Sequence, residues 1–266
     1  MKRLVTVIFL FIFFSCVFSI NAQIITKFTN NTAFDYGEEL TYRLRYSLYF
    51  NVYVGEAILS VAPEPKIIGN KAHYHLIGEG KSYKFYDAFM KVRDRYESYV
   101  NVSNFLPAAS IRVLNEGGFH FDDYTVYNHY KHEAKNKKGQ VHKMGVYSQD
   151  ILSAIYLSRT LEYNDAKKGD SFMMNIFIDD SNYVLGLRYL GKETIKGKDG
   201  YTYKCIKLAP ILIVDRVFKT QNDMILWISD DKNKIPIKIF SAISVGAIYI
   251  DLYKYKGLKN PFQSKL

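Results

Sequence analysis

Residues 148–163 read SQDILSAIYLSRTLEY, and the rest of the chain is best understood as cover for them. Ile151, Leu152, Ile155 and Tyr156, with the small Ala154 among them, fall on one side at helical spacing. Leu157 and Leu161 widen that stripe past half the circumference. Ser148 is placed as the N-cap, and Asp150 puts a negative charge in the first turn, where the helix dipole favours it. Arg159 suits the C-terminal half, and Asn164-Asp165 with Gly169 beyond gives a stop. A helix this apolar must be covered, and only strand-like segments flank it. The expectation is a mainly β protein: one large curved antiparallel sheet or open barrel packed around a single central helix. Ile151 and Ile155 are expected to be buried, so that Ile155→Asp would destabilise by several kcal/mol.

The flanking sequence supports a sheet. Leu40, Tyr42, Leu44, Tyr46, Leu48 and Phe50 alternate with Thr41, Arg43, Arg45, Ser47 and Tyr49, which is the period of a strand. Further strand patterns follow at 53–61, 72–78, 92–102, 109–114, 118–132 and 140–146, divided by turn signals such as Pro63, Pro65 and Gly69-Asn70. Residues 82–90, SYKFYDAFM, fit either a short helix or a connecting strand. After the helix, Asp179-Asp180-Ser181-Asn182 and Lys198-Asp199-Gly200 mark hairpins, and Trp227 lies on a strand over 224–229. Short turns between sequential strands make antiparallel meanders, and the lack of alternating long helices argues against a parallel α/β sheet. No Pro-, Gly- or Ser-rich linker divides the chain, so 23–266 is read as one domain, with a poorly ordered leader over 23–33 and a loose tail from Gly257 to Leu266.

The start of the chain has the layout of a secretory signal peptide over 1–22: Lys2-Arg3, an apolar run from Leu4 to Phe18, and Ala22 before the cut. Two other readings exist, an uncleaved anchor and a lipoprotein acylated at Cys16 within the loose lipobox Phe13-Phe14-Ser15-Cys16. The cleaved form is the expectation: secreted across the inner membrane, in the periplasm or associated with the outer membrane, and peripheral to a membrane rather than spanning it. Losing Lys2 and Arg3 takes the formal charge from +10 to +8. Scattered lysines and arginines and the absence of a nucleic-acid motif argue against nucleic acid and leave lipid or envelope polysaccharide as partners. Cys205 is then the lone cysteine, read as a buried structural thiol.

No catalytic constellation stands out, and no cofactor is implied. His73 and His75 share a strand face and, with His120 or His142, would make a three-nitrogen zinc site; a polar outer face explains them as well. Asp122-Asp123, Asp179-Asp180 and Asp230-Asp231 are read as turn formers rather than paired glycosidase carboxylates. Glu38-Glu39, near Arg43 and Arg45, is read as a surface ion pair. No phosphate loop, nucleophile elbow or zinc-protease helix is present.

Several segments taken in order resemble a family. They are DYGEELTY at 35–42, YVGEA at 53–57, DILSAIYLSR at 150–159, LWISDD at 226–231, IPI at 235–237 and GAI at 246–248. Together they are similar to the secreted bacterial proteins of the domain of unknown function 3108 family, over nearly the whole chain after the signal. The resemblance implies a mostly β envelope protein and brings no activity. A more distant similarity is to carriers that hold lipoprotein acyl chains in a curved sheet. The functional expectation is a non-enzymatic envelope protein binding an apolar or amphiphilic ligand, such as an acyl chain, between sheet and helix, at Ile151, Leu152, Ile155 and Tyr156, with Trp227 as a further ligand-binding residue. The alternatives are a glycan-binding module using exposed aromatics and a metal-dependent hydrolase. An acyl chain would need an apolar cavity on the order of several hundred Å³ beside Ile151 and Leu152.

Overall fold

The computed structural model describes residues 22–28, 30–211, 224–243 and 245–266. The signal segment, apart from Ala22, lies outside the described residues, as do residues 212–223. Sixteen strands are described: β1 (Ala22–Ile24), β2 (Glu39–Ser47), β3 (Asn51–Val61), β4 (Lys66–Ile68), β5 (Lys71–Ser82), β6 (Arg93–Asn101), β7 (Pro107–Glu116), β8 (Phe119–Asn128), β9 (Glu133–Asn136), β10 (Val141–Lys143), β11 (Ser171–Ile178), β12 (Ser181–Lys196), β13 (Thr202–Ile211), β14 (Met224–Ser229), β15 (Pro236–Ala242) and β16 (Ala247–Lys256). Two helices interrupt them, α1 (Asp87–Met90) and α2 (Ile151–Ser158).

All the strands belong to one sheet, as expected. Its order is β1-β11-β12-β13-β14-β15-β16-β2-β3-β5-β6-β7-β8-β9-β10, with β4 on β5. Every pairing is antiparallel except β1 on β11. The two meanders therefore join at β16–β2, and α2 lies in sequence between β10, at one end of the sheet, and β11, which carries only the short β1 beyond it at the other. The sheet curls until those ends meet. The segment 144–150 straps them together: the Met144 amide donates to the His132 carbonyl, the Gln149 amide to the Asn175 carbonyl, and the Phe177 amide back to Gln149. The Asp179-Asp180 hairpin completes the seam. Both residues have positive φ, 50° and 58°, as a two-residue type I′ turn requires. Asp179 accepts from Arg112 at 2.9 Å, and Asp180 from Asn136 at 3.0 and 3.1 Å.

The central helix is shorter than expected, 151–158 rather than 148–163, because its cap is Asp150 and not Ser148. Asp150 accepts from the amides of Leu152 and Ser153, each at 2.9 Å, and its own amide donates to the Ser153 hydroxyl, forming a capping box. Ser148 is buried and donates to Asn182 at 3.1 Å. α2 packs mainly on β5, β6 and β11. Leu152 and Tyr156 are buried there with Leu76, Val100, Phe105 and Met174; burial of each such side chain contributes about 1.5–3 kcal/mol. Ile155 corrects the expectation: it is 37 % exposed, on the side of α2 away from the sheet. Ile155→Asp is accordingly expected to shift stability by no more than about 0.5 kcal/mol; a loss of several kcal/mol in urea unfolding would contradict this placement.

The segment before β2 and the C-terminal tail are better fixed than their composition suggests. Ala33 and Phe34 are fully buried, and Phe34 meets Tyr156, Tyr74 and Phe105 edge-on at 4.8, 5.3 and 6.0 Å. The tail beyond Gly257, read as loose, is docked. The Lys204 amide donates to the Ser264 carbonyl and the Leu266 amide to the Thr202 carbonyl, both at 2.8 Å. Phe262 lies on Tyr203 and Tyr255, with ring centroids 5.6 and 4.9 Å away.

Candidate functional site

Large side chains from sheet and helix pack together in the space between them. Beside Ile151 and Leu152 there is a cavity of about 20 Å³, lined also by Ser110, Arg112, Thr125, Tyr127, Asp150 and Asp179. That volume holds about one water molecule, and the lining is polar. Deeper along α2, Arg159 is buried and forms a bidentate pair with Glu38 at 2.6 and 2.7 Å, and both Nε and Nη2 donate to the Asn233 carbonyl at 3.1 Å. Its guanidinium lies 5.3 and 5.2 Å from the ring centres of Phe34 and Tyr156. This corrects the reading of Glu38 as part of a surface ion pair. The residues expected to line one ligand site are thus placed differently. Leu152 and Tyr156 are core, Ile151 is partly buried at the polar cavity, and Ile155 faces out. Trp227 is half-buried on β14, where its indole N–H donates to Glu193 at 3.2 Å and Lys207 and Lys238 lie 5.5 and 5.6 Å from its ring centre.

The other sequence candidates are held by structural partners. The His73 ring donates from Nδ1 to the Lys71 carbonyl, and His75 pairs with Glu97 at 2.6 Å while stacking on Tyr99. His120 bonds Asn115 on another strand, and His142 lies 3.5 Å from Asp180 at the seam. The histidines are not brought together, and among the described residues no group of three potential ligands could hold a metal. Burial would raise the Glu97 carboxyl, but hydrogen bonds from Arg95, His75 and Tyr99 outweigh it and hold it below its usual range. Burial, reinforced by Asp230, Glu193 and Asp231, pushes the Cys205 thiol up to about 12, which keeps it protonated and unreactive. Asp231 caps its own turn by accepting from the Asn233 and Lys234 amides. Asp122-Asp123 differ from the expectation in sitting within β8 rather than in a turn.

A cluster of exposed apolar side chains lies at one end of the sheet, while others, such as Tyr130 and Ile67, are exposed elsewhere. Four neighbouring connections meet there. The β15–β16 turn is tied to β2, the Tyr46 hydroxyl donating to the Val245 carbonyl at 3.0 Å. The β2–β3 turn follows. The β5–β6 connection containing α1 lies against it, with the Tyr83 amide donating to the Val54 carbonyl at 2.9 Å. The β7–β8 turn comes next, the Gly117 amide donating to the Lys91 carbonyl at 2.9 Å. Tyr49 and Phe50 are 88 % and 80 % exposed, Phe85 and Phe89 76 % and 81 %, and Leu48, Met90, Phe119 and Val245 are also exposed. The sequence pattern had carried Leu48 and Phe50 on the buried face of a strand. β2 ends at Ser47, so both emerge at the tip instead. Residues 82–90, ambiguous in sequence, form turns leading into the one-turn α1, none of whose residues is buried. Its signal was Phe85 and Phe89, four apart and with no apolar neighbour to pair with.

At the opposite end, side chains tie the C-terminal tail to the β14–β15 turn and to the segment before β2. Asn233 donates to the carbonyls of Asn260 and Pro261, Asn260 to that of Thr32, and Lys259 to that of Asn31. No helix among the described residues is long and apolar enough to cross a membrane.

Comparison with known proteins agrees with this architecture. A search of curated proteins finds no match. Among solved structures, a β-barrel-like protein of the domain of unknown function DUF1849 from Brucella abortus superposes with a TM-score of 0.54 at 7% identity, covering 83% of this chain and 97% of that one. That likeness shows a shared β-barrel-like fold. A candidate exported protein with a YmcC-like fold from Bacteroides fragilis is similar at 8% identity and TM-score 0.33, over 84% and 97% of the two chains. A candidate lipoprotein from Parabacteroides distasonis is similar at 11% identity and TM-score 0.32, over 86% and 100%. The family model of proteins of unknown function called DUF3108 matches residues 41–253, the greater part of the sequence and nearly the whole of the curled sheet, and the chain belongs to that family.

Proposed function

We propose that this is a non-enzymatic protein of the cell envelope that meets an amphiphile, at a membrane surface, through the apolar end of its sheet. The observation that carries the reading is the row of exposed aromatic and aliphatic tips on four adjacent connections. A contiguous apolar patch on a soluble surface marks an interaction site. The charged start, apolar run and Ala22 at the head of the sequence support an envelope location, in the periplasm or on the outer membrane. The non-enzymatic reading rests on the absence of a catalytic motif in the sequence and on the engagement of the candidate histidines and carboxylates in structural bonds. A ligand between sheet and helix loses its support, since about 20 Å³ is far below what an acyl chain needs. The glycan reading is weakened at Trp227, where Lys207 and Lys238 lie near the ring that a sugar would stack on.

Flotation with vesicles of lipid extracted from the host envelope tests the proposal. The protein, in the form its host makes it, is expected to float with the vesicles, and Phe50→Ser/Phe89→Ser to remain in the dense fraction while melting like wild type. Equal flotation of the two proteins would defeat the reading.

A further inference from the structure

We infer that the occupant of the apolar end is a bilayer leaflet bearing anionic phosphate headgroups, with the α1 connection as the wedge that enters it. This rests on the proposed membrane reading and adds the class of lipid. α1 and its flanks place Phe85 and Phe89 outward, more exposed than most of the molecule's large apolar side chains. Exposed lysines bracket them, Lys84 one residue before Phe85 and Lys91 two after Phe89. Neither lysine has an ion-pair partner among the described residues. The one acid of α1, Asp87, is neutralised from within the fold: Arg93 donates to its Oδ2 at 2.7 Å and Ser82 to its Oδ1 at 2.5 Å. These bonds, Arg93's first, hold the Asp87 carboxyl below its ordinary range. The connection thus presents two aromatic rings between two exposed lysines that hold no ion pair among the described residues, although Lys91 also acts on Asp87 through space, on a chain whose formal charge is +8 once Lys2 and Arg3 are removed.

That arrangement has a physical counterpart in the interface of an anionic leaflet. Aromatic rings settle at headgroup depth, long lysine stems bury their methylenes and keep the ammonium at the phosphate plane, and the surface potential adds to the attraction. A second copy of the chain fits less well, because it would set Lys84 and Lys91 against an equally cationic end. A protein groove is not excluded by shape, but it would have to be both apolar and acidic.

The test uses vesicles of phosphatidylcholine alone and of phosphatidylcholine with phosphatidylglycerol in equal parts. Binding is measured for protein in the form its host makes, and self-association is followed by sedimentation. Wild type is expected to bind the phosphatidylglycerol vesicles far more tightly, and to lose most of that preference in high salt. Lys84→Gln/Lys91→Gln should lose about 30-fold in affinity for them while keeping its binding to phosphatidylcholine. Phe85→Ser/Phe89→Ser should bind neither. All four positions are exposed, so unchanged melting of the variants confirms that folding is intact. Equal affinity for both vesicles overturns the anionic inference and leaves the membrane reading standing. Failure to bind either defeats both. Self-association that Phe85→Ser/Phe89→Ser abolishes, without vesicle binding, would assign the surface to a second copy and overturn the inference.

Discussion

Arg159→Met is expected to lower stability by about 3–5 kcal/mol, the loss typical of removing one partner from a buried ion pair. Arg159 and Glu38 are both buried, so the variant leaves a carboxylate without its counter-charge in a site walled by Phe34, Tyr42 and Tyr156. It also frees the Asn233 carbonyl, which accepts from Nε and Nη2. The pair fastens three distant parts of the chain: the segment before β2, the end of α2 and the β14–β15 turn. Its loss should therefore act on the whole fold. A double variant, Glu38→Leu/Arg159→Met, removes the orphaned charge and is expected to recover much of the loss. Urea unfolding followed by circular dichroism measures both. If Arg159→Met unfolds with the wild-type midpoint, the buried pair does not hold those three segments together.

Asp150→Ala is expected to cost about 3 kcal/mol, combining a lost helix cap with a buried hydroxyl left unpaired. Asp150 accepts from the amides of Leu152 and Ser153 and from the Ser98 hydroxyl at 2.5 Å, so it fixes the start of α2 to β6. Asp150→Asn keeps an acceptor for the amides and should cost much less. Burial pushes the Asp150 carboxyl above the ordinary aspartate range, although Ser98, Ser153 and Leu152 each pull it down. A raised folded value means that this group's contribution is fully present below the unfolded aspartate pKa and is lost as pH rises through the folded one. The melting temperature of Asp150→Asn should therefore gain on wild type as pH rises from the acid limit towards neutrality. A difference that is flat, or that runs the other way, would show that the cap is ionised without penalty.

Much of this architecture was legible because it follows from periodicity. Strict alternation from Leu40 onward and the Asp179-Asp180 turn identify strands and hairpins from local chemistry alone, and the apolar stripe of α2 demands a sheet around it. What stayed hidden was set by distant partners. Arg159 follows Leu152 and Tyr156 by seven and three residues, on the same helical face, and a charge inside an apolar stripe signals a buried counter-ion. Glu38 was hard to recognise as that partner because 121 residues separate the two. The tail looked loose because its anchors are backbone bonds to β13, which no side-chain pattern announces. The apolar end was missed for a related reason: alternation runs unbroken from β2 into the tip, so Leu48 and Phe50 resemble core until the turn is placed.

Brominated-lipid quenching tests the central claim most directly, because the chain contains one tryptophan, Trp227, on the wall of the sheet. Wild type reports on that wall, and Trp227→Phe/Phe89→Trp moves the only reporter to the apolar end. In vesicles containing brominated phosphatidylcholine and phosphatidylglycerol, emission from residue 89 is expected to be strongly quenched and emission from Trp227 to be unchanged. Quenching of Trp227 with none at residue 89 would contradict the account, since it would put the lipid on the wall and leave the apolar end in water.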